Sequence, residues 1–241
     1  MDIKKAIDSV QRAQRNYDLS KTIPQEDLDT LIYAATNSPS KQNETHYSLE
    51  VFTDADTIQS IVDKTKLFSL MKDPGDKEGL FGLDDDGNFW QDKDRSVTNS
   101  QIHANSVFVF VRHEGETRGG TNMLGKQNPN SKAGQLYNEN LSYSMGIAVG
   151  ELILTAGLLG YKTGICSAMD TRAIRDMLGL KQNPKLIVGV GYENVGTDRR
   201  LHSTVRNKDI APKFRTGDDD EKWRFPSFEK TTAVKLNGNN Y

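Results

Sequence analysis

Cysteine is all but missing from this sequence. Cys166 is the only one in 241 residues, so no disulfide can close within the chain, and a reducing cytoplasm is the expected compartment. An excess of one charge is missing too. Lys and Arg number 31 against 33 Asp and Glu, a net charge of -2. That removes the electrostatic case for binding nucleic acid, which wants a strong basic surplus. No continuous apolar run approaches the roughly 18 residues that span a bilayer, so no membrane association is expected. The start, Met1-Asp2-Ile3-Lys4-Lys5, leads into an amphipathic pattern rather than the apolar block of a secretory signal. The four histidines, His46, His103, His113 and His202, are scattered without metal-ligand spacing, and neither H-E-x-x-H nor paired cysteines occur, which speaks against zinc. G-x-G-x-x-G, the P-loop pattern and the G-x-S-x-G elbow are absent as well, leaving a Rossmann dinucleotide site, a phosphate loop and a serine hydrolase unsupported.

The length suits a single domain with a real core, and a mean hydropathy of -0.65 means that this core sits in a few segments. Ile3, Ala6, Ile7 and Val10 recur at helical spacing and predict a short helix with these residues inward. Thr22, Pro24 and Glu26 signal a second start, with Leu28, Leu31, Ile32 and Ala35 as its stripe. Tyr47–Phe52 reads as a strand, Asp54–Lys66 as a helix, and the apolar β-rich run Ser106–Val111 as the central strand. Leu141, Met145, Ala148, Leu152, Ala156 and Leu159 mark a long helix apolar nearly all round. Gly146 and Gly150 lie four apart within it. Each costs about 1 kcal/mol of helix propensity, for which close approach of another helix, in a dimer or inside the chain, is the expected return. Gly160–Gly164 is expected to end that helix and Ile165–Ala168 to form a strand end or loop. Asp170 caps a further helix closed by Gly179, and Leu186–Tyr192 is a buried strand. Residues 67–95 and 115–135 are loop-rich and read as insertions or lids, and residues 212–241 as an arm that wraps a neighbour.

The chemistry-bearing residues are polar turns at the ends of apolar elements. Arg12 and Arg15, three apart, allow a phosphate clamp or an ordinary surface pair. Thr36–Asn43 is a loop rich in hydroxyls, an amide and free backbone N–H groups, suited to a polar ligand. Asn99–Gln101, Ser167–Ala168 and Arg206 complete the set. Cys166 is expected to be a small buried residue rather than a nucleophile. From the residues alone the ligand is one with a phosphate and several amide-like edges.

In order and spacing these pieces resemble the nitroreductase family, over about Ile3 to Asp209. Arg12-Ala13-Gln14-Arg15 is similar to the family's R-S-x-R, and Ser38-Pro39-Ser40-Lys41-Gln42-Asn43 to its S-P-S-x-x-N. Asn99-Ser100-Gln101-Ile102 resembles its N-x-Q-V, and Leu178-Gly179-Leu180 and Gly189-Val190-Gly191-Tyr192 its L-G-L and G-x-G-Y. The resemblance implies an α+β domain with a mostly antiparallel central sheet flanked by helices, forming an intertwined homodimer with exchanged C-terminal arms. It implies FMN as cofactor and NADH or NADPH as donor, with nitroaromatics, quinones or similar small molecules as acceptors. By the same resemblance Arg12, Ala13, Arg15 and Arg206 hold the phosphate and ribityl end, and Arg199 and Arg200 compete with Arg206. Ser38, Pro39, Ser40 and Asn43 reach the flavin from the partner subunit. Asn99 and Gln101 meet the pyrimidine edge, while Ser167 and Ala168 offer backbone groups near the reactive nitrogen. No side-chain acid or base is required. Three positions depart from the pattern: Thr45-His46-Tyr47 stands for Q-P-W, Ser167-Ala168 for a Glu-Gly pair, and Gln11 for a basic residue. Dehalogenating or flavin-fragmenting chemistry on the same fold is the alternative reading, and a flavin-binding protein without turnover is another.

Overall fold

Alternation along one strand divides the core in two. Val107, Val109 and Val111 point to one side of Ser106–Arg112, and Phe108 and Phe110 to the other, all of them buried. This is the period-two pattern of a strand covered on both faces. The computed structural model describes residues 2–44, 46–65, 98–113 and 130–196, together with six two-residue strands. In chain order the elements are α1 (Ile3–Val10), α2 (Gln25–Thr36), β1 (Tyr47–Phe52), α3 (Ala55–Val62), β2 (Gly82–Leu83), β3 (Phe89–Trp90), β4 (Ser106–Arg112) and α4 (Lys132–Leu159). They continue with β5 (Lys162–Cys166), α5 (Thr171–Leu178), β6 (Pro184–Gly191), β7 (Leu201–His202), β8 (Trp223–Arg224), β9 (Lys235–Leu236) and β10 (Asn239–Asn240). Short 3-10 turns form at Lys41–Asn43 and Ser100–Ile102. The rest of the 67–95 and 115–135 insertions, of the 212–241 arm, and Arg206 lie outside the described residues.

The main sheet has the order β1-β4-β6-β5, with every pairing antiparallel. The strand expected at the centre, β4, is central. On one face Phe108, Phe110, Val188 and Val190 pack against α2 and α4 through Leu28, Leu31, Leu141, Leu152 and Ala156. On the other, Val107, Val109, Val111 and Ile187 meet Ile58 and Ile61 of α3 and Ile174 of α5. The fold class expected from the sequence is the fold class found: a mixed domain with helices on both faces of an antiparallel sheet.

Three local expectations are corrected. Ile3 and Ile7 are 55% and 50% exposed, and only Ala6 and Val10 of that stripe are buried, because α1 packs on α4 with its narrower face. Its Ala6 carbonyl and Val10 lie 2.8 and 3.1 Å from where a Cβ on Gly157 would stand. Lys162–Gly164 belongs to an edge strand rather than to the helix end, since the helix stops earlier, at Gly160 with φ 93°, and Ile165 and Cys166 are that strand's end. Gly146 and Gly150 have nothing within 4 Å of the point where a Cβ would stand, so no helix contact among the described residues accounts for them.

The helix that carries them, α4, spans 28 residues. Its Gly134–Leu159 segment is long and apolar enough by composition to cross a bilayer, although no continuous apolar run does. Its inner face is instead the floor of the larger core cluster. Its outer face keeps Leu136, Tyr143 and Ile147 exposed along the same line as the two glycines.

Candidate functional site

The chain leaves α1 and lies along β5. The Gln14 N–H donates to the Thr163 carbonyl at 2.8 Å, and the buried Gln14 amide donates to the Asn16 carbonyl at 2.8 Å. The loop bearing Arg12, Ala13 and Arg15 is thereby fixed to the sheet edge. The Asn99–Gln101 turn closes on the same strand from the other side. A Cβ on Gly164 would stand 2.3 Å from the Gln101 carbonyl oxygen and 2.8 Å from that of Gln14. Only glycine lets both backbones approach this closely. Gly189 repeats the device on β6, where a Cβ would lie 2.6 Å from the Gln101 oxygen. That oxygen also accepts from the Tyr17 hydroxyl at 3.0 Å.

Gln101 joins the two segments through its side chain. With the amide oriented to satisfy both neighbours, its nitrogen donates to the Ile165 carbonyl and its oxygen accepts from the Arg15 guanidinium at 3.1 Å. Arg15 is therefore aimed by Gln101. Arg12, half-buried on the same loop, has no polar partner among the described residues. Burial raises the Tyr17 phenol well above its ordinary range, and the nearby Arg15 charge opposes this only in part.

Asn99 is buried. Its side-chain oxygen accepts from the Gln101 N–H at 3.0 Å, and its own N–H donates to the Thr65 hydroxyl at 2.8 Å. Its side chain also meets the Cys166 thiol, which burial pushes up to about 11. Cys166, 1% exposed, donates to the Ala168 carbonyl at 3.4 Å. It is the inert core residue expected from the sequence. Ser167 is exposed and Ala168 half-buried just beyond β5. The structure thus gathers Arg12, Ala13, Arg15, Asn99, Gln101, Ser167 and Ala168 around one strand.

The other loop stands elsewhere. The Ser38 hydroxyl shares a 3.0 Å hydrogen bond with Tyr47, whose own hydroxyl donates to the Ala35 carbonyl. The Asn43 N–H donates to the Ser40 carbonyl at 3.0 Å, and Asn43 adopts φ 57°. Ser40 is half-buried, while Pro39 and Asn43 point outward. This loop leads into β1, the strand at the opposite edge of the sheet from β5. Three inter-strand steps of about 4.8 Å separate the edges. The register runs from Gly164 through Gly189 and Val107 to Phe52, the far end of β1 from Tyr47 and about 17 Å along the strand. The two corners of one chain are thus roughly 20 Å apart, with the sheet and its helices between them.

The glycines of Leu186–Tyr192 signalled a close backbone neighbour, and Gly189 has one in Gln101. Sequence reasoning missed the other residues that hold the basic loop, namely Gln14, Tyr17, Thr163 and Gly164. Among the described residues no group of His, Cys, Asp and Glu is arranged to hold a metal ion.

Comparison with known proteins agrees with this fold. The nitroreductase family model matches residues 10–192. A nitroreductase family protein from Clostridium novyi NT superposes with a TM-score of 0.54 at 15% identity, covering 83% of this chain and 90% of that one. Nitroreductase A from Vibrio parahaemolyticus gives 0.54 at 14%, covering 81% and 70%. An FMN-dependent nitroreductase from Clostridium difficile R20291 gives 0.50 at 14%, covering 90% and 99%. Among curated proteins none matches in sequence. At these identities the superpositions speak for the fold, and the family match extends over both polar corners and the glycine-bearing strands between them: the chain belongs to the nitroreductase family, a family of flavin oxidoreductases.

Proposed function

We propose that the protein is an FMN-dependent oxidoreductase that works as a homodimer, with each flavin held between two chains. The observation that carries this reading is the course of α4. Near its start Asn140 bonds Lys41 of the Asn43 loop, and near its end Gly157 packs on α1, which leads into Arg12. These points are 17 residues, or about 26 Å, apart along the helix. The outer face between them carries Tyr143, Gly146, Ile147 and Gly150, open and largely apolar. Two such faces packed antiparallel about a twofold axis would set the Asn43 corner of one chain against the Arg12 corner of the other. The C-terminal arm, residues 212–241, would strengthen the same assembly by wrapping the partner.

The donor set fits FMN. Arg12 and Arg15 supply the charge for a phosphate, with Arg206 as a third candidate. Gln101 orients Arg15, and Ala13 lies between the two arginines on a loop fixed by Gln14. Asn99 and Gln101 would meet the pyrimidine edge, and Ser167 and Ala168 would offer backbone groups at the end of β5. Ser38, Pro39, Ser40 and Asn43 of the second chain would close the other side. A bound flavin would supply the redox chemistry between NADH or NADPH and a nitroaromatic, quinone or similar small acceptor. The side chains bind and orient, and none is asked to move a proton. The test is a visible spectrum of the purified protein. Bound FMN that is bleached by NADH or NADPH without air supports the reading, and a colourless protein that takes up no FMN overturns it.

A further inference from the structure

Two buried polar side chains interrupt the apolar inner face of α4. Asn140 and Ser144 are four residues apart and so stand on one face, one turn above the other. They are 4% and 1% exposed. Each is matched by a side chain flanking Asn43. Lys41 Nζ donates to Asn140 Oδ1 at 3.2 Å, and Ser144 Oγ lies 3.1 Å from His46 Nδ1.

His46 is itself 1% exposed. Its carbonyl accepts from the His113 N–H at 2.9 Å, which ties it to the end of β4. Its Nε2 has no hydrogen bond among the described residues and faces Glu44 Oε2 at 3.4 Å. With the ring hydrogen on Nε2, beside the Glu44 carboxylate, Nδ1 would accept from the Ser144 hydroxyl. Around the imidazole stand Glu44 and Lys41 from the loop and the Tyr137 ring from α4 at 5.5 Å, with Arg112 of β4 over that ring at 4.6 Å. Between the two ties sits Asn43, the one non-glycine residue with positive φ among those described. Asparagine tolerates this left-handed conformation better than most residues, yet it still needs fixing from both sides.

We propose that Lys41–Asn140 and His46–Ser144 form a latch that holds the Ser38–Asn43 loop on α4, with His46 as its positioning residue. For the loop's task this rests on the flavin reading. Because α4 is also the face offered to a second chain, the latch fixes where the loop stands relative to that chain's Arg12.

The test uses His46→Ala, Ser144→Ala and His46→Asn in the full-length protein. It reads hydrogen exchange of the residue 38–44 amides, together with FMN affinity and kcat at saturating FMN. Both alanine variants are expected to speed loop exchange at least tenfold while β4 and β6 amides stay unchanged. They are expected to weaken FMN binding about tenfold at constant kcat. His46→Asn, which keeps an acceptor for Ser144, should restore most of both. Unchanged loop exchange in folded His46→Ala and Ser144→Ala overturns the proposal. So does exchange that rises equally everywhere, or faster loop exchange with FMN affinity unaltered. If His46→Ala does not fold, Ser144→Ala decides, since it removes one hydroxyl only. If the unaltered protein binds no FMN, the flavin reading falls, and loop exchange alone decides whether the latch exists.

Discussion

Gly164→Ala tests the way the basic loop is built. The new Cβ would stand 2.3 Å from the Gln101 carbonyl oxygen and 2.8 Å from the Gln14 carbonyl oxygen. Both obstacles are backbone, so no rotamer change relieves them. Either the Asn99–Gln101 turn or the Arg12–Arg15 loop must move, and overpacking of this kind costs about 1–3 kcal/mol. The Gln14 N–H bond to Thr163 at 2.8 Å and the Gln101–Arg15 contact at 3.1 Å lie directly in the path of that shift, which places the cost near the upper end. For a chain of this size 1 kcal/mol moves the melting temperature by about 2–4 °C, so the expected loss is about 4–12 °C. Arg15 moves with its loop, and FMN affinity should fall with it. Urea unfolding and a flavin titration on the same variant measure the two effects. Stability within about 0.5 kcal/mol of the unaltered protein, with unchanged FMN affinity, refutes the reasoning.

Three further predictions follow from other parts of the molecule. Gly146→Ala lies on an open face in the single chain and would gain about 1 kcal/mol there from helix propensity. Under a partner helix it should instead raise the dimer dissociation constant at least tenfold by analytical ultracentrifugation, and a merely more stable protein with unchanged assembly contradicts the dimer face. Burial lowers the imidazole pKa of His46, against the nearby Glu44, and of His103, against Asp63. The native state keeps both neutral while the unfolded chain takes up protons below about 6.5, so stability is full above that pH and falls as pH drops. Urea midpoints should decline from pH 7.5 to 5, less steeply in His46→Asn, and a flat profile would count against both histidines. With its thiol pushed up to about 11 by burial, Cys166 should resist iodoacetamide at pH 8 until the protein is unfolded; rapid labelling of the native protein would show that the site is open.

The sequence announced most elements because pattern and burial agree in them. Ser106–Val111 reads as a central strand and is one. Asp170 and Gly179 bracket α5, with the Asp170 side chain accepting from the Ala173 N–H and Gly179 at φ 64°. It misled where periodicity names more apolar positions than the neighbour can cover, as with Ile3 and Ile7, which face outward on α1. β5 was hidden because its residues, Lys162 to Cys166, are small and mixed, and its place is set by pairing with Ile187–Gly191 some 25 residues on. Arg12, Arg15 and the Asn43 loop were legible as polar punctuation. Their separation by the full width of the sheet was not, because strand order is a long-range property. The pairing of Asn140 and Ser144 with Lys41 and His46 was invisible for the same reason: each half looks ordinary until the fold joins residues about 100 positions apart.

The claim at the centre is that one flavin is shared between corners of two chains. Co-expression of an Arg12→Ala/Arg15→Ala chain with a differently tagged Ser40→Ala/Asn43→Ala chain, followed by purification of the mixed dimer, tests it directly. In the mixed dimer one site would regain every native residue and the other would lose both sets. The account predicts colourless homodimers of either variant and one FMN per mixed dimer. A mixed dimer as empty as its parents would place each site within a single chain and contradict the account.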